Sequence, residues 1–179
     1  MLFALERIGV EAEVTDDIEK IQHADKVIFP GVGEASSAMK YLKERKLDEV
    51  IKRLQQPVFG VCLGMQLLCA DSEENDTRCL GIVPVHVKRF TEPDLKIPQI
   101  GWNTIYDLRS ELFEGIKKNS YVYNVHSYYA EASEYSIATC DYGMEYAAAI
   151  NKNNFYGVQF HTEKSADVGE RILRNFLAI

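Results

Sequence analysis

Cys62 is the residue whose surroundings point most directly to chemistry. It lies between Gly60 and Gly64 in the stretch GVCLG, with apolar residues on both sides. This spacing predicts a sharp strand-to-helix turn with Cys62 at its apex, because glycine removes the side chains that would collide there. The apex also lies at a helix N-terminus, where unpaired N–H groups favour an anion. A thiol placed there should ionise more easily than a free one, and the thiolate is the reactive form. The alternative is a glycine-rich strand-to-helix turn at which nothing reacts.

A nucleophilic thiol needs a base, and His161 is the candidate, with Glu163 to orient it. Both residues follow the apolar stretch 155–160, which predicts the last strand of the chain. Because the carboxyl ends of parallel strands share one edge of a sheet, His161 can face Cys62 there. Glu163 can accept the other ring N–H, which completes a nucleophile, base and carboxylate triad. An isolated His-x-Glu pair is more often structural, and that alternative stays open.

The segment PGVG at 30–33 follows another apolar strand. Its glycines allow backbone N–H groups to approach a ligand, so Gly33 and Leu63 could supply an oxyanion hole. An ordinary strand-to-helix turn is an equal alternative for this segment.

Polar and aromatic residues in the second half form a possible rim around such a site. His126, within YVYNVHSYY at 121–129, is predicted to be a structural histidine. Trp102, followed by Asn103, is placed in a loop, as a partner anchor or a core residue.

The three remaining cysteines lack flanking glycines and are predicted to be buried apolar residues: Cys69, Cys79 and Cys140.

The order of the elements predicts one α/β domain over 1–179 with a mostly parallel, doubly wound sheet. The first half predicts helices at 2–8 and 34–55 (with a break at 46–48), and strands at 26–30, 57–61 and, weakly, 10–14. The acidic stretch 71–77 is predicted to be a loop. The second half predicts hairpin strands added to the sheet at 83–90, 103–107, 121–125, 136–140 and 147–150, and a closing helix at 165–177.

The composition and charge of the chain argue against several classes of protein. The 179 residues carry a net charge of −7 with no basic cluster, which argues against nucleic acid and anionic membranes as partners. No apolar run is long enough to span a bilayer. The four cysteines form no C-x-x-C pair and no metal-ligand spacing, so free thiols in a cytoplasmic protein are expected.

Five segments together resemble the class I (triad) glutamine amidotransferases, whose fold is flavodoxin-like. They are PGVG (30–33), GVCLGMQLL (60–68), GWN (101–103), YVYNVHSYY (121–129) and YGVQFHTEKS (156–165), and they cover the whole chain in order. GWN and the N-V-H-S-Y run are most similar to the glutaminase subunits of imidazole glycerol phosphate synthase, a histidine-biosynthetic enzyme.

The resemblance implies roles for residues at matching positions. Cys62 would attack the side-chain amide of glutamine, with His161 as base and acid and Glu163 orienting it, while Gly33 and Leu63 supply oxyanion N–H groups. Three residues would hold the glutamine: Gln66, Ser127 and Tyr128. No metal or organic cofactor is implied.

The resemblance also implies a heterodimer with a (β/α)₈-barrel cyclase subunit, which would receive the ammonia. The positions that match the family's partner contacts are Trp102, Asn103, Tyr123 and Lys164. Two other readings are a non-catalytic interaction subunit of the same complex and another class I amidotransferase. An unrelated thiol hydrolase of the same fold type is a further alternative.

The chain departs from the family pattern at two places. Thr162 stands where the family usually has proline, and we expect little effect because the two residues can share a backbone conformation. The chain also opens inside a helix that the family precedes with a strand and a loop, so a first sheet strand is expected to be missing. Translation of the natural product is therefore expected to start upstream of Met1.

Overall fold

The computed structural model describes residues 1–179 and contains helices on both faces of a central sheet. The helices are α1 (Leu2–Arg7), α2 (Ile18–His23), α3 (Ala35–Glu44), α4 (Leu47–Lys52), α5 (Leu63–Leu68) and α6 (Ala166–Ala178). Short 3-10 helices cover Glu74–Asp76, Glu111–Phe113 and Thr162–Lys164. None of the helices is both long and apolar enough to cross a membrane.

Eleven strands complete the structure. They are β1 (Val27–Gly31), β2 (Val58–Cys62), β3 (Asp71–Ser72), β4 (Thr77–Arg78), β5 (His86–Arg89), β6 (Gln99–Ile105), β7 (Ser120–His126), β8 (Tyr128–Ala130), β9 (Ser136–Asp141), β10 (Glu145–Lys152) and β11 (Phe155–Val158). The main sheet has the order β1-β2-β11-β10-β8-β5-β3-β4, and β9 pairs with β10 beside this path. β6 and β7 form a separate antiparallel ribbon.

The three strands that end near Gly33, Cys62 and His161 pair in parallel. β2 pairs in parallel with β1 on one side and with β11 on the other, so the carboxyl ends of these three strands lie at one edge. Beyond β11 the sheet continues with antiparallel pairs through β10, β8 and β5. The α/β fold predicted from the sequence is confirmed, and its sheet is mixed.

Two apolar clusters hold the helices against the sheet. One contains α6 residues, including Phe176, whose ring stacks on Phe59 of β2 with centroids 4.9 Å apart. The other contains buried residues of α3, α4 and α5 on the opposite face. β2 is buried at every position because it lies between these layers.

Capping side chains fix the starts of α2 and α3. The Asp17 carboxylate accepts backbone hydrogen bonds from Glu19 and Lys20 at the start of α2. Glu34 accepts the Ser36 N–H at the start of α3. The predicted break in the long helix is confirmed, because Lys46 has a left-handed φ of 59° between α3 and α4.

Three sequence predictions about strands were wrong. Residues 10–14 form no strand, and Val14 is 78% exposed, so their weak alternation creates no buried face. The predicted loop 71–77 contains β3, a 3-10 helix and the first residue of β4. Trp102 lies in β6 and not in a loop, because β6 begins at Gln99 and pairs with β7 along its whole length.

The prediction of buried cysteines away from the turn is confirmed. Cys69, Cys79 and Cys140 are all buried and none forms a disulfide. Burial raises the pKa of Cys79 to about 12 and that of Cys140 to about 11. These thiols are therefore uncharged at neutral pH.

Candidate active site

Cys62 lies at the junction between β2 and α5, with φ 55° and ψ −114°. An L-residue rarely adopts this backbone conformation, so the turn holds it under strain. The flanking glycines make the turn possible. A Cβ on Gly60 would lie 2.8 Å from the Met65 nitrogen, and one on Gly64 would lie 1.8 Å from the Phe29 oxygen. Gly60, Cys62 and Gly64 therefore determine the geometry of this turn.

His161 reaches the same edge of the sheet through β11. Val158 near the end of β11 pairs with Val61, so His161 emerges beside Cys62, and both residues line one pocket. Hydrogen bonds that the imidazolium donates to the Cys62 sulfur and then to Glu163 raise the pKa of His161 to about 9, although burial opposes this shift. His161 is therefore protonated at neutral pH.

Glu163 supports His161 from the side away from Cys62. Its Oε1 lies 2.9 Å from His161 Nδ1. Burial raises the pKa of Glu163, but the hydrogen bond from His161 and smaller effects outweigh burial and keep that pKa below its ordinary value. The second carboxylate oxygen, Oε2, is buried without a hydrogen-bond partner. The carboxylate thus acts on the imidazole through one oxygen.

The backbone around His161 is tied to the β6–β7 ribbon. Its N–H donates to the Tyr123 carbonyl at 2.9 Å, and the Tyr123 N–H donates to Ser165 Oγ at 2.9 Å. The Ser165 hydroxyl in turn donates to the His161 carbonyl at 2.7 Å. The base and the ribbon therefore form one hydrogen-bonded unit.

A pocket of about 400 Å³ opens above the thiol and the imidazole. Gly33 lines it with φ 103°, and Gly31 packs directly on α5, where a Cβ would lie 2.5 Å from the Gly64 nitrogen. Of the residues selected from the sequence, the pocket brings together Cys62, His161, Gly33, Leu63, Gln66, Ser127, Tyr128 and Lys164.

A buried polar network forms the floor of this pocket. Gln66 Nε2 donates to the Tyr128 carbonyl at 3.0 Å and to Gln159 Oε1 at 2.9 Å. His126 Nδ1 lies 2.8 Å from the same Tyr128 carbonyl. Burial lowers the pKa of His126 to about 4, so its imidazole is neutral near pH 7. This agrees with the structural role predicted for His126, although the residue also lines the pocket.

Trp102, Asn103 and Tyr123 lie outside the pocket on the ribbon, and Lys164, which also lines the pocket, ends the 3-10 helix Thr162–Lys164. Trp102 is 53% exposed, and its ring meets Tyr123 edge-on with centroids 5.7 Å apart. Lys164 Nζ lies 5.8 Å from the centre of the Tyr123 ring. Asn103 Nδ2 donates to the Asp141 carbonyl at 2.7 Å. Trp102, Tyr123 and Lys164 therefore share one side of the ribbon, whereas Asn103, the next residue in β6, faces the other side.

Two residues of the site were missed by sequence reasoning. Glu74 lines the pocket from the 3-10 helix in the segment 71–77, where its Oε2 accepts the Ala35 N–H at 2.8 Å. Gln159 is fully buried beside Cys62. Two features of the sequence could have identified them. Glu74 is an acidic residue in the segment after the helix that follows Cys62, and Gln159 is a polar residue at the end of an apolar strand. No group of three or more His, Cys, Asp and Glu side chains is placed to hold a metal ion.

The fold and this site define the class of protein. A family model described as glutamine amidotransferase class-I matches residues 3–179. The chain belongs to this family. Its structure is also similar to a solved glutamine amidotransferase from Thermotoga maritima, with a TM-score of 0.61 at 20% identity, covering 96% of this chain and 68% of that one. Another solved glutamine amidotransferase gives a TM-score of 0.75 at 18% identity, with 98% of this chain and 89% of the other covered.

Similar sequences point to one branch of the family. The chain is 54% identical over 179 residues to the imidazole glycerol phosphate synthase subunit HisH of Bacteroides fragilis, covering 99% of this chain and 91% of that protein. It is 47% identical over 176 residues to the protein of the same name from Haemophilus influenzae, covering 98% and 88% respectively.

Proposed function

We propose that this chain is the glutamine-hydrolysing subunit of an imidazole glycerol phosphate synthase. The observation that carries this proposal is the shared pocket of Cys62 and His161, with Glu163 hydrogen-bonded behind the imidazole. The 54% identity to a HisH subunit supports this particular branch of the family.

In the proposed mechanism the Cys62 thiolate attacks the side-chain carbonyl carbon of glutamine. The C–S bond forms as the carbonyl π electrons move onto oxygen, and the N–H groups of Gly33 and Leu63 stabilise that oxyanion. Protonated His161 then gives its proton to the amide nitrogen, and ammonia leaves as the carbonyl re-forms in a thioester. Water, deprotonated by the now neutral His161, hydrolyses the thioester to glutamate and restores the thiolate.

The polar residues of the pocket suit the amino-acid end of glutamine. Gln66 uses both amide hydrogens within the protein, so its Oε1 remains as an acceptor for the substrate. Glu74 brings a carboxylate to the same pocket, where it can pair with the α-ammonium group. Ser127 lies between β7 and β8, and Tyr128 begins β8; their backbone N–H groups are the proposed donors to the α-carboxylate.

The surface of Trp102, Tyr123 and Lys164, together with Asn103 on the other side of β6, is the proposed contact with the cyclase subunit, which takes up the ammonia. A half-exposed tryptophan beside a lysine and a tyrosine is typical of a surface that binds another protein. The backbone bonds between Tyr123 and His161 would let this contact steady the base. We further propose a cytoplasmic location, consistent with four unpaired cysteines.

Covalent labelling tests the proposed nucleophile. A glutamine-analogue electrophile is added to the complex with the cyclase. The peptide that contains Cys62 is expected to gain the mass of one bound analogue. Free glutamine should protect this peptide, and the Cys62→Ser variant should not be labelled. Labelling of another cysteine, or none in the assembled complex, would favour a non-catalytic role for the chain.

A further inference from the structure

Gln159 is a fully buried polar side chain that the mechanism above does not use. It lies between β11 and His161, and its carboxamide contacts two groups of the site. Its Oε1 accepts the Gln66 Nε2 hydrogen bond at 2.9 Å, and its Nε2 lies 3.8 Å from Cys62 Sγ. Burial of an amide is costly unless its polar atoms are bonded, so both contacts matter to the fold and to the thiol.

The orientation of the two amides follows from the hydrogen-bond pattern. The Tyr128 carbonyl can only accept, so the Gln66 amide atom 3.0 Å from it must be the nitrogen. That same nitrogen faces Gln159 at 2.9 Å, so the facing atom of Gln159 must be its oxygen. The NH₂ group of Gln159 is thereby turned towards the sulfur of Cys62.

We propose that Gln159 is a positioning residue that acts on the nucleophile and on substrate recognition together. Its N–H donates to Cys62 Sγ, and a thiolate accepts such a bond far better than a neutral thiol does. Its Oε1 holds the Gln66 amide so that Gln66 Oε1 faces the pocket. The second half of this inference rests on the proposed role of Gln66 in glutamine binding, whereas the first half does not.

Alkylation of Cys62 tests the first half without any glutamine hydrolysis. The rate of iodoacetamide addition to Cys62 is measured against pH by peptide mass spectrometry, with Gln159→Met removing the N–H donor at similar side-chain length. We expect the midpoint of this profile to move to higher pH, and alkylation at pH 7 to slow about tenfold, because the bond to a charged acceptor is lost. An unchanged midpoint would overturn the proposal.

Two further variants separate this effect from general loosening. Gln99→Met changes a second buried glutamine, 3% exposed, which accepts a hydrogen bond from Tyr146 at 3.0 Å and does not contact Cys62. We expect it to leave the midpoint in place, and an equal shift in Gln99→Met would refute a specific role for Gln159. Gln159→Asn keeps an amide but shortens its reach, so it should shift the profile in the same direction if Gln159→Met fails to fold.

Glutamine kinetics test the second half. In the assembled complex, Gln159→Met should raise KM for glutamine as well as lower kcat, because Gln66 loses the bond that orients it. A lower kcat at unchanged KM would show that Gln159 acts on the sulfur of Cys62 and not on glutamine binding. Failure of the wild-type complex to hydrolyse glutamine would reject the proposed function, yet it would leave the alkylation result standing.

Discussion

The protonation state of His161 controls both halves of the proposed reaction at the scale of single residues. Its pKa of about 9 means that an imidazolium faces Cys62 at neutral pH. The imidazolium is the acid that releases ammonia, so activity should decline as pH rises through the pKa of His161. Glu163 helps to keep this pKa high, which makes its contribution measurable.

Replacement of Glu163 by glutamine should therefore move the alkaline limb of the pH–rate profile. In the wild-type complex we expect kcat/KM for glutamine to fall with a midpoint near pH 9. In Glu163→Gln the midpoint should drop by roughly one unit, because the imidazolium loses its negative partner. Glu170→Gln, on the exposed face of α6, is the matched control and should keep the wild-type limb. An unshifted limb in Glu163→Gln would contradict the assignment.

Thr162 carries a small structural penalty beside the triad. Its hydroxyl oxygen is buried and has no hydrogen-bond partner. Thr162→Val removes this oxygen and keeps the branched shape, so the free energy of unfolding should rise by about 1 kcal/mol in urea denaturation. The control is Thr77→Val, where the hydroxyl donates to the Glu74 carbonyl and its loss should destabilise the fold. Destabilisation by Thr162→Val would show that the hydroxyl has a partner in solution.

The turn between β2 and α5 shows how an element stores strain at its most reactive position. At most sites alanine stabilises a protein more than glycine does, by roughly 0.5–1 kcal/mol. Cys62 has a φ of 55°, where a Cβ costs roughly 1–3 kcal/mol. The usual order of alanine and glycine should therefore reverse at this residue.

Comparison of Cys62→Gly with Cys62→Ala tests this strain directly. We expect the glycine variant to have the higher free energy of unfolding in urea denaturation. Cys140, a buried cysteine in β9 without a positive φ, is the control position, and there the alanine variant should be the more stable. The same order at both positions would mean that the turn is not strained.

Sequence reasoning predicted those parts of the site that are encoded locally. Gly60, Cys62 and Gly64 define their turn within five residues, and His161 follows its strand directly. Gln159 and Glu74 were missed because their roles depend on contacts with Cys62 and Ala35, which are distant in the chain. Strand β8 and the true start of β6 also depend on pairing between distant segments, which apolar patterns in one segment do not encode.

A buried imidazole at the base of the pocket links the site to the stability of the whole molecule. His126 is 6% exposed and packs against Phe90 and Tyr146, with ring centroids 5.5 and 5.4 Å away. Burial lowers its pKa from an ordinary 6.5 to about 4. Between these values the unfolded chain binds a proton that the folded chain rejects, so stability falls as pH decreases through this window.

His126→Gln should flatten the acid side of the stability profile. For the wild-type chain we expect this histidine to remove about 3 kcal/mol of unfolding free energy between pH 6.5 and 4, at 1.36 kcal/mol per pKa unit. The variant should lack this part of the slope, although its stability near pH 7 is lower. Urea denaturation at several pH values measures the difference, and parallel profiles would show that His126 titrates normally in the folded state.

Glutamate release by the assembled complex tests the central claim most directly. The chain is combined with the cyclase and the nucleotide substrate of the cyclase, and glutamate is measured for wild-type and Cys62→Ser proteins at equal concentration. We predict steady release by the wild-type complex and release at background level by Cys62→Ser. Equal rates in the two complexes would contradict the claim that the sulfur of Cys62, activated by His161, cleaves the glutamine amide.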